Sequence, residues 1–191
     1  MRYPRDHKTV IRQKIIDTAA LRFRSEGIQS VGIANLMADL GLTHGGFYAH
    51  FKDKEDLVAA ACRHSLGQLA DEWRSRFDAA GPDALREAVG AYLAQNDAPL
   101  PPAPCPVATL AGELARRDNP SRQAFTDGIE QLLAELRKAM AGKRHVLELS
   151  PESLLALMAG AQLLAGTVSD PALARRLAAS LQWKEEPLPA R

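Results

Sequence analysis

Apolar residues recur along most of the chain at spacings of three and four, the period of a helix with one buried face, and strand-like alternation is absent. Between Val10 and Gly27 the stripe is Ile15, Ile16, Ala19, Ala20 and Phe23, and the closing glycine suits a helix end. A shorter stripe, Leu36, Met37 and Leu40, is followed by Gly41. Near the C-terminus Leu154, Leu157, Met158, Ala161, Leu164, Ala165 and Val168 share one helical face, and Leu173, Leu177 and Leu181 share another. The pairs Gly81-Pro82, Asn119-Pro120, Ser150-Pro151 and Asp170-Pro171 put proline at a first helical position, where its missing N–H would have no partner anyway. In three of them the preceding side chain carries an oxygen able to cap the helix. The pattern predicts helices over 9–26, 33–40, 44–50, 54–80, 83–96, 106–117, 120–141, 151–167 and 171–182, with Gly142 a further stop. The proline-rich run from Pro99 to Pro106 predicts a stiff extended connection.

The expected fold is therefore all-α. A chain of 191 residues, 46% hydrophobic and 25% charged, suits one large domain or two small ones sharing a core. No apolar run approaches the roughly 20 residues of a membrane span. The N-terminus lacks the apolar stretch of a signal peptide, so a cytoplasmic location is expected. The two cysteines, Cys62 and Cys105, have no metal-ligand spacing and are expected as thiols rather than a disulfide; no metal or cofactor is expected. Net charge is only +1, but residues 1–64 hold ten lysines and arginines against seven acids, and four of the five histidines. That small bias permits an N-terminal end that faces nucleic acid.

The segment from Leu36 to Phe51 gives the bias a form. One short helix carries the stripe, Gly41 permits a tight turn, Leu42 plugs the angle, and Thr43 caps a second helix running through Phe47 and Tyr48 to His50. Two short helices joined by a glycine turn form a helix-turn-helix, whose second helix enters the major groove. The run Gly41-Leu42-Thr43-His44-Gly45-Gly46-Phe47-Tyr48-Ala49-His50-Phe51-Lys52-Asp53-Lys54-Glu55-Asp56-Leu57 closely resembles the signature of the TetR family of repressors, and Val10 to Gly27 resembles that family's first helix. The resemblance implies an N-terminal three-helix DNA-binding domain (1–53) and a helical sensing and dimerisation domain (54–185); the terminal position of 186–191 predicts a frayed tail. It also implies DNA contacts. Thr43, Tyr48 and His50 carry donors suited to phosphate oxygens, and Lys54, capped by Asp53, starts a helix whose N–H groups can hold another phosphate. His44 is the expected base reader, Gly45 and Gly46 let the backbone approach the duplex, and Arg5 and Lys8, with Arg2, form an arm; Phe47 and Phe51 are expected in the core. Gly32 stands where the family usually has a capping Thr or Ser, Met37 replaces a small alanine, and no arginine lies in the second helix to read guanine.

For the remainder, the resemblance implies that the last two helices pair with a second copy. Leu154, Leu157, Met158, Ala161, Leu164, Ala165, Leu173 and Leu177 would form the interface of a homodimer suited to a palindromic operator. Trp73, Phe77, Tyr92 and Phe125 are candidates to line a pocket for an unidentified small-molecule inducer, although each is also a plausible core residue. Cys105, between Pro104 and Pro106, sits where a helix would begin, and a helix N-terminus lowers a thiol pKa. A more anionic thiol reacts faster with electrophiles, and some repressors of the family respond in this way, so Cys105 is the expected sensor and Cys62 inert packing. The alternative is a small-molecule response with no cysteine chemistry. An enzyme is a further alternative, but Cys105 and His145 lie 40 residues apart with no oxyanion or orienting motif, so no catalytic residue is expected. The last alternative is a helical interaction protein that binds no DNA. Repression rather than activation is expected, because occupying a promoter needs no contact with polymerase.

Overall fold

The computed structural model describes residues 5–79, 81, 83–94, 104–117, 119–141 and 149–181, and all regular structure among them is helical. The helices are α1 (Arg5–Glu26), α2 (Ile33–Asp39), a 3-10 helix (His44–Ala49), α3 (Lys54–Ala79), α4 (Ala84–Leu93), α5 (Pro106–Leu114), α6 (Asn119–Met140), α7 (Pro151–Thr167) and α8 (Pro171–Ala178). Residues 95–103, Gly142, His145 and the tail 186–191, on which several sequence expectations fall, lie outside the described residues, as does the Arg5 side chain.

Most boundaries follow local chemistry that the sequence displays. Ser150 Oγ accepts the Ser153 N–H at 3.1 Å, Asp170 Oδ1 accepts the Ala172 N–H at 2.9 Å, and Pro151 and Pro171 follow at the helix start. Gly27, at φ +85°, ends α1 in the left-handed region that L side chains avoid. One boundary shifts and one expected helix takes a tighter form. The fourth α-helix begins at Ala84 behind Asp83 rather than directly behind Gly81-Pro82. The segment at 44–50 is a 3-10 helix, not an α-helix. Two successive glycines near its start weaken the α form through backbone entropy, and the segment closes on i→i−3 bonds, the Gly46 N–H to the Thr43 carbonyl and the His50 N–H to the Phe47 carbonyl.

By contacts the chain falls into two compact units, one of residues 1–69 with 103–130, the other of 70–102 with 131–191. This grouping cuts α3 and α6 and is separate from the functional boundary at 53/54 expected from the sequence. In the first unit α1 packs against α2 and α5, and Ile15, Ile16, Ala19, Ala20 and Phe23 are buried as their spacing predicts. In the second, α7 packs on α4 and α8. Its interior includes Trp73, Tyr92, Leu132, Leu136, Leu154 and Met158. Gln162 Nε2 donates to the Tyr92 carbonyl at 3.1 Å, which ties α7 to α4 through a buried polar contact.

Within the first unit α3 and α6 cross at Leu66 and Gly128. A Cβ on Gly128 would stand 2.4 Å from Leu66 Cδ1 and 2.6 Å from Leu66 Cβ, and Leu66 is fully buried. Leu66 Cβ cannot swing away without its backbone. Gly128→Ala is expected to destabilise the protein by about 2 kcal/mol, despite alanine's better helix propensity, because overpacking outweighs it. Urea unfolding would check this; equal or greater stability would show that the crossing can widen freely.

Candidate nucleic-acid interface

The turn between α2 and the 3-10 helix is built by backbone hydrogen bonds. The Gly41 N–H donates to the Ala38 carbonyl at 2.9 Å and the Leu42 N–H to the Met37 carbonyl at 2.9 Å. That double closure requires a left-handed residue between helix and exit, and Gly41 supplies it at φ +67°. Thr43 then caps the next element: its Oγ1 accepts the Gly46 N–H at 3.2 Å. Gly32 caps α2 without any side-chain bond, as its lack of a side chain dictates.

The 3-10 helix turns one side inward. Phe47 is fully buried and Phe51 is 2% exposed, their rings stacked at 5.5 Å between centroids. The other side is open. Tyr48 is 59% exposed, and His44, also exposed, meets its ring edge-on at 5.9 Å. Beside them nothing stands within 4 Å of where a Gly45 side chain would lie, so bare backbone flanks two donor-bearing rings. Thr43 is exposed, but its hydroxyl oxygen is already engaged as a cap acceptor. Its O–H hydrogen is not used in that bond.

Basic groups gather around this surface. His50 is half-buried, and its Nδ1 is enclosed without a hydrogen-bond partner. Burial first, then the positive charges of Lys8 and Arg12, hold its imidazole below the ordinary histidine range. Lys8 is exposed on α1, and one turn on, the Arg12 guanidinium lies 4.7 Å over the Phe51 ring. Arg12 was not singled out from the sequence. Its i+4 spacing from Lys8 puts the two on one face of α1, which is the signal that pointed to it. Lys54 opens α3; burial and then Arg117 lower its ammonium below the ordinary lysine range, with Glu113 opposing. Asp53 caps α3 as expected, accepting the Asp56 N–H at 2.8 Å, while Asp56 accepts the Lys52 N–H at 3.1 Å.

The other expected residues divide. Trp73 lies edge-on to Tyr92 at 6.0 Å and 6.3 Å from Phe77, all in the second unit, whereas Phe125 belongs to the first. Trp73 and Tyr92 are nearly fully buried. Of the dimerisation set, Leu154, Met158, Ala161 and Ala165 are buried within this single chain. Leu157 and Leu164 are about half exposed, at 47% and 52%, beside Leu163 at 50%, and Leu173 and Leu177 are half-buried. Cys105 is the N-cap residue of α5 with Pro106 first in the helix, and it is 3% exposed. Its neighbour is Arg24 of α1, a pairing across the fold with no local sequence signal. Burial lowers the Arg24 guanidinium, and negative charge on Cys105 works against that. Cys62 is buried, and burial pushes its thiol up to about 12. No cluster of metal-ligating side chains and no helix long and apolar enough to cross a membrane occurs among the described residues.

The sequence model of the family described as bacterial regulatory proteins, tetR family, matches residues 15–61, from the first buried turn of α1 into α3. The HTH-type transcriptional regulator AcrR of Shigella flexneri is 34% identical over 79 residues, which are 40% of this chain and 37% of AcrR. The matched stretch thus spans well under half of that relative's length. Two solved structures share the fold over nearly the whole chain. One is the reduced form of E. coli NemR (TM-score 0.76, 18% identity, 88% of this chain and 93% of that one). The other is AibR in complex with isovaleryl coenzyme A and operator DNA (TM-score 0.64, 17% identity, 89% and 97%). The helix-turn-helix around Gly41 and Thr43 thus lies within the stretch that matches the tetR family of bacterial regulatory proteins.

Proposed function

We propose that this protein is a transcriptional repressor that binds palindromic operator DNA in the cytoplasm as a homodimer and is released by a signal received outside the helix-turn-helix. The observation that carries the reading is the open side of the 3-10 helix, where His44 and Tyr48 stand beside bare glycine backbone while Phe47 anchors the opposite side. Thr43, Tyr48, His50 and Lys54 are assigned to phosphates, His44 to a base edge, Gly45 and Gly46 to close backbone approach, and Arg5 and Lys8 to the flanking backbone. Residues 1–53 serve as the DNA-binding domain and 54–185 as the sensing and dimerisation domain. AibR, solved with operator DNA, is a precedent for this fold on a duplex. The half-exposed Leu157 and Leu164 are the groups of α7 available to a second copy, with Leu173 and Leu177 on α8. A two-fold pair would hold the reading helices roughly 34–36 Å apart, for successive major grooves.

Cys105 is assigned as the electrophile sensor. It caps α5, where first-turn N–H groups and the helix dipole favour a thiolate, and the Arg24 guanidinium adds positive charge. NemR, solved in a form described as reduced, has the same fold. The addition is simple: the thiolate bonds to the β-carbon of an activated alkene and a proton is taken up at the adjacent carbon. Because Cys105 is buried, a bulky adduct has to displace its surroundings, and that gives the modified state a different packing. A second reading, a small-molecule inducer without cysteine chemistry, is favoured by the Trp73, Phe77 and Tyr92 cluster; the AibR structure holds isovaleryl coenzyme A. In either case full release requires the signal to favour the non-binding state by several kcal/mol.

Two measurements test these assignments. Selection from a random duplex library should enrich one palindromic sequence, and failure to enrich any would overturn the DNA-binding reading. On that duplex, Tyr48→Phe should weaken affinity about fivefold through loss of one hydrogen bond. Lys54→Gln should lower the salt dependence by about one unit of log–log slope. Unchanged binding in either variant would remove that residue from the interface. N-ethylmaleimide should release the wild-type protein from the duplex and leave Cys105→Ser bound; Cys62, its thiol held at about 12, should not react at neutral pH. Release of both proteins alike would exclude Cys105 as the sensor.

A further inference from the structure

The stretch from Glu113 to Ser121 touches the chain on both sides of the DNA-reading segment. On one side is the turn between α1 and α2. Glu113 Oε1 accepts the Ile28 N–H at 2.9 Å, and Oε2 accepts the Gln29 N–H at 3.1 Å, from 85 and 84 residues away. Both donors follow Gly27, whose left-handed φ turns successive N–H groups toward a common point, an arrangement that favours an anion. The fit is close: a Cβ on Gly27 would stand 2.9 Å from Glu113 Oε1. On the other side is the first turn of α3. Arg117 Nη1 meets Glu55 Oε2 at 2.8 Å, and Ser121 Oγ donates to the other oxygen of Glu55. Ile28 and Val31 are buried, so the turn is fixed by apolar packing beneath and by a carboxylate above.

We propose that Glu113 is a positioning residue for DNA reading, its carboxylate setting the angle at which α2 and the 3-10 helix leave α1. The inference rests on the DNA-binding reading and adds to it a group that touches no DNA. The turn at 27–31 is the only covalent link between α1 and α2, and its two consecutive N–H groups have no other acceptor described. Charge-assisted bonds to a carboxylate are stronger than the water contacts that would replace them, so the turn is held in one conformation. From there the constraint passes along α2, through the Gly41 closure, to His44 and Tyr48. Glu113 lies at the C-terminal end of the nine-residue helix that Cys105 caps at its start, so a shift of α5 moves the carboxylate that holds this turn.

Specific and non-specific binding separate a positioning role from a merely structural one. Non-specific affinity comes from phosphate charge and tolerates misalignment, whereas base reading does not. For Glu113→Ala, affinity for the selected duplex should fall about tenfold, while affinity for a scrambled duplex stays within about twofold. Glu113→Gln keeps one acceptor oxygen but turns donors toward the second N–H, so it should fall between the two. Gly27→Ala, which strains the same contact from the other side, should repeat the loss of discrimination. In all three, amide exchange at Ile28 and Gln29 should accelerate while helical circular dichroism at the assay temperature is retained. Selected-duplex affinity unchanged in Glu113→Ala and Glu113→Gln, or specific and non-specific affinities falling together, would overturn the positioning role. A wild-type protein that enriches no duplex would overturn the DNA-binding reading and this inference with it.

Discussion

The burial of Phe47 is the constraint on which the interface depends. A six-residue 3-10 helix with two glycines has no independent stability; one turn of helix orders more backbone than its hydrogen bonds repay. It persists because Phe47 is sealed beneath it, stacked on Phe51, and because Thr43 holds its first turn. His44 and Tyr48 owe their exposed placement to that one anchored ring between them. Arg12, laid over Phe51, joins the same arrangement from α1, so the cationic rim and the exposed rings are positioned by one aromatic pair.

The two cysteines show how position decides the chemistry of one residue type. Both are buried. Cys62 sits mid-helix in α3, among groups that offer its thiolate little, and burial pushes its thiol to about 12. Cys105 sits at the start of α5 near the Arg24 guanidinium, whose own charge burial disfavours. Low exposure therefore does not carry the same meaning at the two sites. At Cys62 it describes packing along one helix, and at Cys105 the closure of a helix start against α1.

What the sequence displayed was local. Gly41 and Gly27 in left-handed turns and the caps at Ser150, Asp170, Asp53 and Thr43 each follow from residues a few positions apart, and the inward stripe of α1 from steps of one, three and four. The errors arose where local signals compete. Gly81-Pro82 reads as a helix start, but α4 begins at Ala84 behind Asp83, and the helix expected over 44–50 is wound as a 3-10 helix over His44–Ala49. The stripe on α7 was legible as apolar, but period alone does not say which apolar groups the chain itself covers; Leu154 and Met158 are inside, Leu157 and Leu164 are not. Glu113 on the α1–α2 turn, Arg117 on Glu55 and Arg24 beside Cys105 join residues more than 60 positions apart. No spacing rule finds such pairs, since a glutamate at 113 reads equally well as a solvated helix face.

The tighter winding of the segment His44–Ala49 alters its stride. A 3-10 helix rises about 2.0 Å per residue against 1.5 Å in an α-helix, so its six residues extend about 12 Å rather than 9 Å. His44 and Tyr48, four residues apart, are therefore separated along the axis by about 8 Å instead of 6 Å. Measured against a duplex ladder of about 3.4 Å per rung, the two rings stand more than two rungs apart where an α-helix would leave them fewer than two. The segment is a long, narrow ruler with two glycines near its start, Gly46 held by Thr43 and Gly45 open on its side-chain face.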